Sequence, residues 1–278
     1  VQNILKEDFL ITDALRDLNI DAKRIAWDSP DKLSEFKFAL FRTTWNYFEK
    51  LQDFYAFLKT WNCEIVFIND HEQIVWNLNK EYLLELNSRG INIPQTVLCK
   101  RGESACLSKL CQANNWSEIV IKPSVSAAAW ETYRLKAPFT KNQLQLFHSL
   151  VAKQDMLIQP FQKNIISFGE ISLMIIDGKY SHSVIKKAKT GDFRVQDDYG
   201  GKVINYKANN LEIDFAEKVI SVLDFQPIYA RVDLILDNGG KLALSELELI
   251  EPEMWFRKNF LSANLLAKAI KNKHFNKY

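Results

Sequence analysis

Between Tyr229 and Pro252 the chain reads YARVDLILDNGGKLALSELELIEP, which places acids and an arginine at alternate positions of two apolar runs. Successive side chains of a strand point to opposite faces. Arg231 and Asp233 therefore share one face of the first run, and Glu246 and Glu248 share one face of the second. Asn238-Gly239 between the runs reads as a tight hairpin turn. Folding back across it brings Asp233 near Leu244–Glu246 and Arg231 near Glu246–Glu248. Three acids crowded on a pleated surface repel one another unless positive charge sits among them. A hard divalent cation such as Mg²⁺, sharing one or two carboxylates with nucleotide phosphates, would supply it. A solvated hairpin face whose acids pair with local lysines produces the same pattern. As metal ligands, Asp233 and Glu246 are expected to be replaceable with little loss of fold stability.

Candidate phosphate partners are spread along the chain. Lys122 ends the apolar run Glu118–Lys122, where its ammonium can reach a phosphate from a rigid base or simply extend into water. The loop after it, SVSAAAW, can fold over phosphates, but Ala127-Ala128-Ala129 stands where a phosphate loop normally carries glycine. Lys186 and Lys187 end another strand, Gly191-Asp192-Phe193-Arg194 brings a guanidinium, and Gly200-Gly201 permits a tight backbone turn.

The elements that must hold these groups are ordinary ones. The chain has 278 residues, 47% hydrophobic and 25% charged, enough for a large core in two or three subdomains. A formal charge of +2 points to no nucleic-acid partner. No apolar run reaches the roughly 18–20 residues of a membrane span, and no signal peptide is evident. The four cysteines, Cys63, Cys99, Cys106 and Cys111, lack metal-site or redox spacing and read as reduced thiols, which suits a cytoplasmic protein. The chain opens at Val1 in a helical pattern, so a preceding strand is a possibility.

Helix and strand patterns alternate through the first segment: a helix to Leu18, short strands at Lys23–Trp27 and Phe38–Arg42, a helix over Leu51–Trp61 and a strand at Glu64–Ile68. Helices are expected at Lys80–Ser88, stopped by Gly90, and at Ser104–Asn114 and Thr140–Ala152. Strands are expected at Thr96–Leu98, Glu118–Pro123 and Met156–Pro160. The last third is β-rich, with an Asp177-Gly178 hairpin between Ile171–Ile176 and Tyr180–Lys186, and with helices at Asp214–Leu223 and Leu261–Lys271. The expected organisation is an α/β domain over residues 1–75, a linker and lid over 76–158, and an α+β unit over 159–278.

Four segments, NKEYLLELNSRGINIPQT, IVIKPSVSA, GEISLMIIDGKYSHSVIKKAKTGDFRVQDDYGG and ARVDLI…SELELIEP, resemble in order and spacing the ATP-grasp superfamily of glutathione-synthetase-like ligases. FRTTWNY near Arg42 and WNLNK near Lys80 narrow the resemblance to the cycloserine-biosynthesis cyclo-ligase group. It implies ATP and Mg²⁺. Lys80 and Lys122 match the lysines that hold ATP phosphates. Gln159, Pro160 and Phe161 match the hinge whose backbone reads the adenine edge, and Glu170 matches a ribose-side acid. Lys186 and Arg194 match cations near the transferring phosphate, and Arg231 the arginine that meets the tetrahedral intermediate. Asp233, Glu246 and Glu248 match the metal ligands, with Glu248 standing where many relatives carry asparagine.

Such ligases phosphorylate a carboxylate and let an amine displace the phosphate, work done mainly by positioning and electrostatics. The substrate expected from the resemblance is small and amino-acid-like, joined to an amine or cyclised on itself. Two further readings stay open: a nucleotide-binding protein without turnover, for which the alanine-rich loop argues, and an amino-acid or peptide ligase of glutathione-synthetase type. Arg42 in the RTTWNY turn serves equally as a clamp for a substrate carboxylate or as an arginine stacked for packing. His71, His148, His182 and His274 are isolated and suit structural or exposed positions.

Overall fold

In the computed structural model, which describes residues 2–30, 32–127, 129–189, 191–195 and 200–275, the amphipathic pattern of the opening segment forms α1 (Gln2–Arg16). Its apolar face buries Ile11, Ala14 and Leu15 in one cluster with residues of α9 (Leu261–His274). Two short parallel strands follow, β1 (Phe38–Leu40) and β2 (Val66–Ile68), joined through α2 (Leu51–Trp61). Behind them lies an aromatic core of Trp27, Phe41, Phe54, Phe57 and Phe67. The strand expected at Lys23–Trp27 is not formed. A strand exists only where its backbone finds a ladder partner, and among the described residues β1 pairs with β2 alone.

The helices α3 (His71–Leu78) and α4 (Tyr82–Ser88) lead out of this layer, and Gly90 ends α4 at φ +84°, a left-handed backbone that glycine adopts freely. A four-stranded antiparallel sheet comes next, built from β3 (Val97–Cys99), β4 (Glu118–Pro123), β5 (Tyr133–Lys136) and β6 (Met156–Pro160) in the order β3-β6-β4-β5. The helices α5 (Leu107–Ala113) and α6 (Lys141–Val151) cover one face of it. A capping box between Thr140 and Gln143 sets the start of α6. Of the cysteines, Cys99 and Cys111 lie in this core, while Cys63 and Cys106 are exposed; all four are free.

After α7 (Asn164–Ser167), a five-stranded antiparallel sheet orders β11-β10-β7-β8-β9, with β7 (Glu170–Ile176), β8 (Lys179–Lys187), β9 (Lys202–Tyr206), β10 (Tyr229–Leu236) and β11 (Leu242–Glu248). Asp177 and Gly178 make the expected two-residue hairpin, both at positive φ. The β10–β11 connection is longer than the expected Asn238-Gly239 turn. The Asp237 N–H donates to the Lys241 carbonyl, the Asp237 carboxylate accepts the N–H groups of Gly239 and Lys241, and Gly240 carries the positive φ. Helix α8 (Asn210–Ser221) and α4 pack on one face of this sheet, and α1 and α9 cover part of the other. What that second face leaves uncovered looks toward β4 and β6. Among the described residues no helix is long and apolar enough to cross a membrane.

His182 on β8 is buried against the Met254 carbonyl, 2.9 Å from Nε2. Burial holds its pKa below the usual histidine value, against the pull of the Met254 and Trp255 carbonyls. As pH falls below about 6.5, the unfolded chain takes up a proton that the folded chain refuses. Stability is therefore expected to drop over that window, by up to about 1.4 kcal/mol per pH unit. Thermal unfolding of the wild type and His182→Asn between pH 7.5 and 5.5 checks this, because the variant should lose that part of the slope.

Candidate active site

The register of β10 with β11 sets Arg231 opposite Glu248 and Asp233 opposite Glu246, the juxtaposition that strand alternation implies. A bulge after Asp233 adds Ser245 to β11. The Ser245 hydroxyl bridges the Asp233 carbonyl at 3.0 Å and the Glu170 carboxylate at 2.8 Å. Across β7, β8, β10 and β11 the charges alternate in a row: Glu170, Lys186, Asp233, Arg231, Glu248. Lys186 Nζ lies 2.5 Å from Glu170 and 2.9 Å from Asp233. Arg231 donates to both Asp233 oxygens, its Nη2 at 2.9 Å, and the same nitrogen pairs with Glu248. Ser172 adds a 2.6 Å hydrogen bond to Asp233. The Trp255 ring lies 5.1 Å from the Arg231 guanidinium and 5.8 Å from the Lys186 ammonium, a cation–π floor under the row.

The positive charge among the carboxylates is thus supplied largely by the chain itself. Burial alone would raise the Asp233 carboxyl, but Arg231, Lys186 and their hydrogen bonds outweigh it and hold Asp233 well below the usual range. Glu246 is likewise held down against burial, by Lys80 and Lys122, with Lys80 Nζ at 3.1 Å. Burial pushes Glu248 up to about 7, with Arg231 opposing and the neighbouring acids adding to the rise.

These carboxylates stay in place because the free edge of β11 is pinned by side chains. The Tyr82 hydroxyl accepts the Leu247 N–H at 3.0 Å. Asn77 donates to the Leu247 carbonyl and accepts the Leu249 N–H, each at 2.8 Å. The Asn92 carbonyl takes the Leu244 N–H, and its amide donates to the Leu242 carbonyl. An edge strand with unpaired backbone is thereby satisfied, and the spacing of Glu246 and Glu248 is fixed. Sequence reasoning missed Asn77, Tyr82, Ser172 and Ser245 in these roles, although all four sit in the segments that carry the resemblance, Asn77 in WNLNK.

A cavity of about 410 Å³ opens between the β4–β6 sheet and this charged face. One wall carries Lys122, Gln159, Pro160 and Phe161, and the other Glu170, Lys186, Arg231, Asp233, Glu246 and Glu248, with Lys80 and Arg194 also lining it. Lys122 makes no hydrogen bond or ion pair among the described residues, and burial lowers its pKa against the opposing pull of Glu246. Arg194 is paired with Asp192 at 2.8 Å. At the hinge, the Phe161 N–H donates to the Glu118 carbonyl, the Phe161 carbonyl accepts from Asn238, and the Pro160 carbonyl accepts from Gln162. Backbone groups expected to read an adenine edge are engaged, and Gln162, absent from the expected set, lines the cavity beside them.

Arg42 falls outside this cavity. It borders a separate space of about 1040 Å³ beside β1, binds Asp8 at 3.2 Å and the Pro252 carbonyl at 2.9 Å, and lies over Phe256. Its neighbours Trp45 and Tyr47 do reach the charged cavity. Ala128 of the SVSAAAW loop lies outside the described residues.

Among the described residues no three acids, cysteines or histidines converge as a ready-made metal cage. The side chains of Glu246 and Glu248 are 29% and 27% exposed, against 1% for Asp233. Two hard oxygen donors open to the cavity beside Lys80 and Lys122 fit Mg²⁺ carried with phosphates, which takes one or two protein carboxylates. Asp233 stands behind them, committed to its cations.

Comparison with known proteins agrees with this architecture. Residues 2–69 match the family model of the N-terminal domain of the D-cycloserine synthetase DcsG. The cycloserine biosynthesis protein DcsG of Streptomyces lavendulae is 26% identical over 259 residues, covering 88% of this chain and 86% of that one. The crystal structure of D-cycloserine synthetase DcsG superposes with a TM-score of 0.89 at 23% identity, over 98% of this chain and 95% of that one. The ATP-grasp ligase PsnB with its minimal precursor gives 0.64 at 12% identity over 96% and 95% of the two chains. D-alanine–D-alanine ligase from Bacillus anthracis with ATP gives 0.57 at 15% over 91% and 84%. The fold is that of the ATP-grasp ligases.

Proposed function

We propose that this ATP-grasp chain, related to the cycloserine-synthetase ligases, is an ATP- and Mg²⁺-dependent carboxylate–amine ligase acting through an acyl-phosphate on a small amino-acid-like substrate. The observation that carries the reading is that every expected site residue except Arg42 lines one cavity. Its volume lies within the roughly 300–1,000 Å³ of small-molecule sites. Lys122 and Lys80 hold the phosphates, and the base lies against Gln159–Phe161. Glu246 and Glu248 would hold Mg²⁺, which when bound spreads the charge of the transferring phosphate. Asp233 acts from behind, fixing Lys186 and Arg231 so that both cations face the reacting end of the cavity.

A carboxylate is a poor electrophile until it is phosphorylated. Lys186 and Arg194 stand where its oxygens and the leaving phosphate need positive charge. Arg231, held rigid by Asp233 and Glu248, presents its guanidinium to the oxyanion that forms when the amine attacks. The likeness to a cycloserine synthetase favours an amine on the same molecule, closing a ring, over an amine from a second one.

Calorimetric titration with a non-hydrolysable ATP analogue, with and without Mg²⁺, tests the nucleotide site. ADP release with amino-acid substrates then tests turnover. Metal-dependent binding followed by ADP release is the expected result. Metal-dependent binding without ADP release from any carboxylate–amine pair would replace this reading with that of a nucleotide-binding protein without turnover.

A further inference from the structure

The acids of the cavity are not all accounted for by the ligase reading. Glu170 is taken by Lys186 and Ser245, Asp233 by Lys186 and Arg231, Glu246 by Lys80, and Glu248 by Arg231. Glu251 is different. It lines the same cavity and is only 7% exposed, yet among the described residues its carboxylate accepts no hydrogen bond and forms no ion pair. The backbone beneath it is held at three successive carbonyls. Ile250 accepts from the Tyr229 hydroxyl at 2.6 Å, Glu251 from the Trp45 indole at 3.4 Å, and Pro252 from Arg42 at 2.9 Å. Arg42, for which the sequence leaves a substrate clamp and a packing role equally open, helps to fix the loop that aims Glu251.

A buried carboxyl without a partner is costly, and a fold that holds one rigidly leaves it for a ligand to satisfy. That ligand cannot be the phosphates, whose charge is of the same sign. We infer that Glu251 binds the ammonium group of an amino-acid substrate, and that the cavity end it shares with Trp45 and Tyr47 is an ammonium subsite. The inference rests on the ligase reading and narrows it. The substrate carboxylate goes to the Lys186–Arg231 side, the ammonium goes to Glu251, and the aromatic faces of Trp45 and Tyr47 add cation–π attraction. Burial, then the nearby Glu248, pushes the Glu251 carboxyl up, and Lys80 and Arg231, neither of which pairs with it directly, do not offset that rise.

The test is calorimetry on the full chain with the non-hydrolysable ATP analogue and Mg²⁺. Glycine, alanine and serine of both hands are compared with glycolate, lactate and glycerate, which keep the carboxylate and replace the ammonium by hydroxyl. The expected result is that at least one amino acid binds and its hydroxy-acid counterpart does not. Glu251→Gln is expected to weaken that binding by on the order of 30-fold or more, with the ATP-analogue affinity unchanged within twofold. Glu251→Asp should retain part of it. The Gln variant keeps shape and removes a buried charge, so its thermal midpoint should equal or exceed the wild type's. Equal amino-acid binding by wild type and Glu251→Gln, equal binding of hydroxy acids, or no amino-acid binding at all would overturn the assignment. So would a loss of metal-dependent nucleotide affinity in Glu251→Gln, which would make the residue a metal ligand. Failure of the ligase reading shows elsewhere, in the wild-type ATP titration and in ADP release.

Discussion

Asp233→Asn is expected to lower the stability of the fold by about 3–5 kcal/mol, the range for breaking a buried ion pair from one side. The carboxylate is 1% exposed and receives Lys186, both donors of Arg231 and the Ser172 hydroxyl. An asparagine of the same shape turns an NH₂ toward at least one of those donors and leaves two buried cations short of charge. This differs from the expectation that the metal-motif acids are replaceable at little cost, and burial is the reason. Glu246→Gln marks the contrast. Its side chain is 29% exposed and its ion pair is with Lys80, which also donates to the Ser126 carbonyl, so the stability change should be smaller than that of Asp233→Asn. Metal-dependent nucleotide affinity should nevertheless fall. Urea unfolding and calorimetry on both variants separate the two roles. An Asp233→Asn protein as stable as the wild type would show that the charge row does not hold the sheet together. Unchanged Mg²⁺ dependence in Glu246→Gln would remove it from the metal site.

The difference between these two acids marks how far sequence reasoning reaches. Alternation along β10 and β11 is local, so the pairing of Arg231 with Glu248 and of Asp233 with Glu246 could be read from a two-residue period and a glycine-containing turn. What each acid is paired with is not local. Lys186 lies 47 residues from Asp233, and Lys80 reaches Glu246 from the linker. No periodicity encodes those meetings; the resemblance to ATP-grasp ligases carried them. The same divide runs through the fold. Gly90 and the Asp177-Gly178 turn were legible because backbone at positive φ selects residue types. The Lys23–Trp27 run was misread because an apolar run becomes a strand only beside a partner. Strand β5 was passed over because Tyr133, Arg134 and Lys136 are polar or charged and Leu135 alone is fully buried. Asn77 and Tyr82 escaped notice for a related reason: their task is to satisfy the backbone of β11, far along the chain, and side-chain identity alone does not announce it.

Arg231→Ala is expected to reduce turnover by about 10²–10³, the usual cost of losing one donor to a developing oxyanion. ATP-analogue affinity should change far less, because Lys80 and Lys122 carry the phosphates in this reading. The substitution also removes two of the donors to Asp233 and the partner of Glu248. Part of any activity loss will therefore be unfolding, and ADP release must be counted per folded molecule. Arg231→Lys resolves the ambiguity. A lysine restores positive charge beside Asp233, so stability should return toward the wild type. Its single ammonium cannot hold Asp233 and Glu248 in the plane of a fork and face the cavity at once, so turnover should remain low. Stability recovered without turnover assigns the guanidinium to the reaction. An Arg231→Lys protein that releases ADP at the wild-type rate would show that a point charge at this position is sufficient, and would reduce Arg231 to a counter-ion for its neighbouring acids.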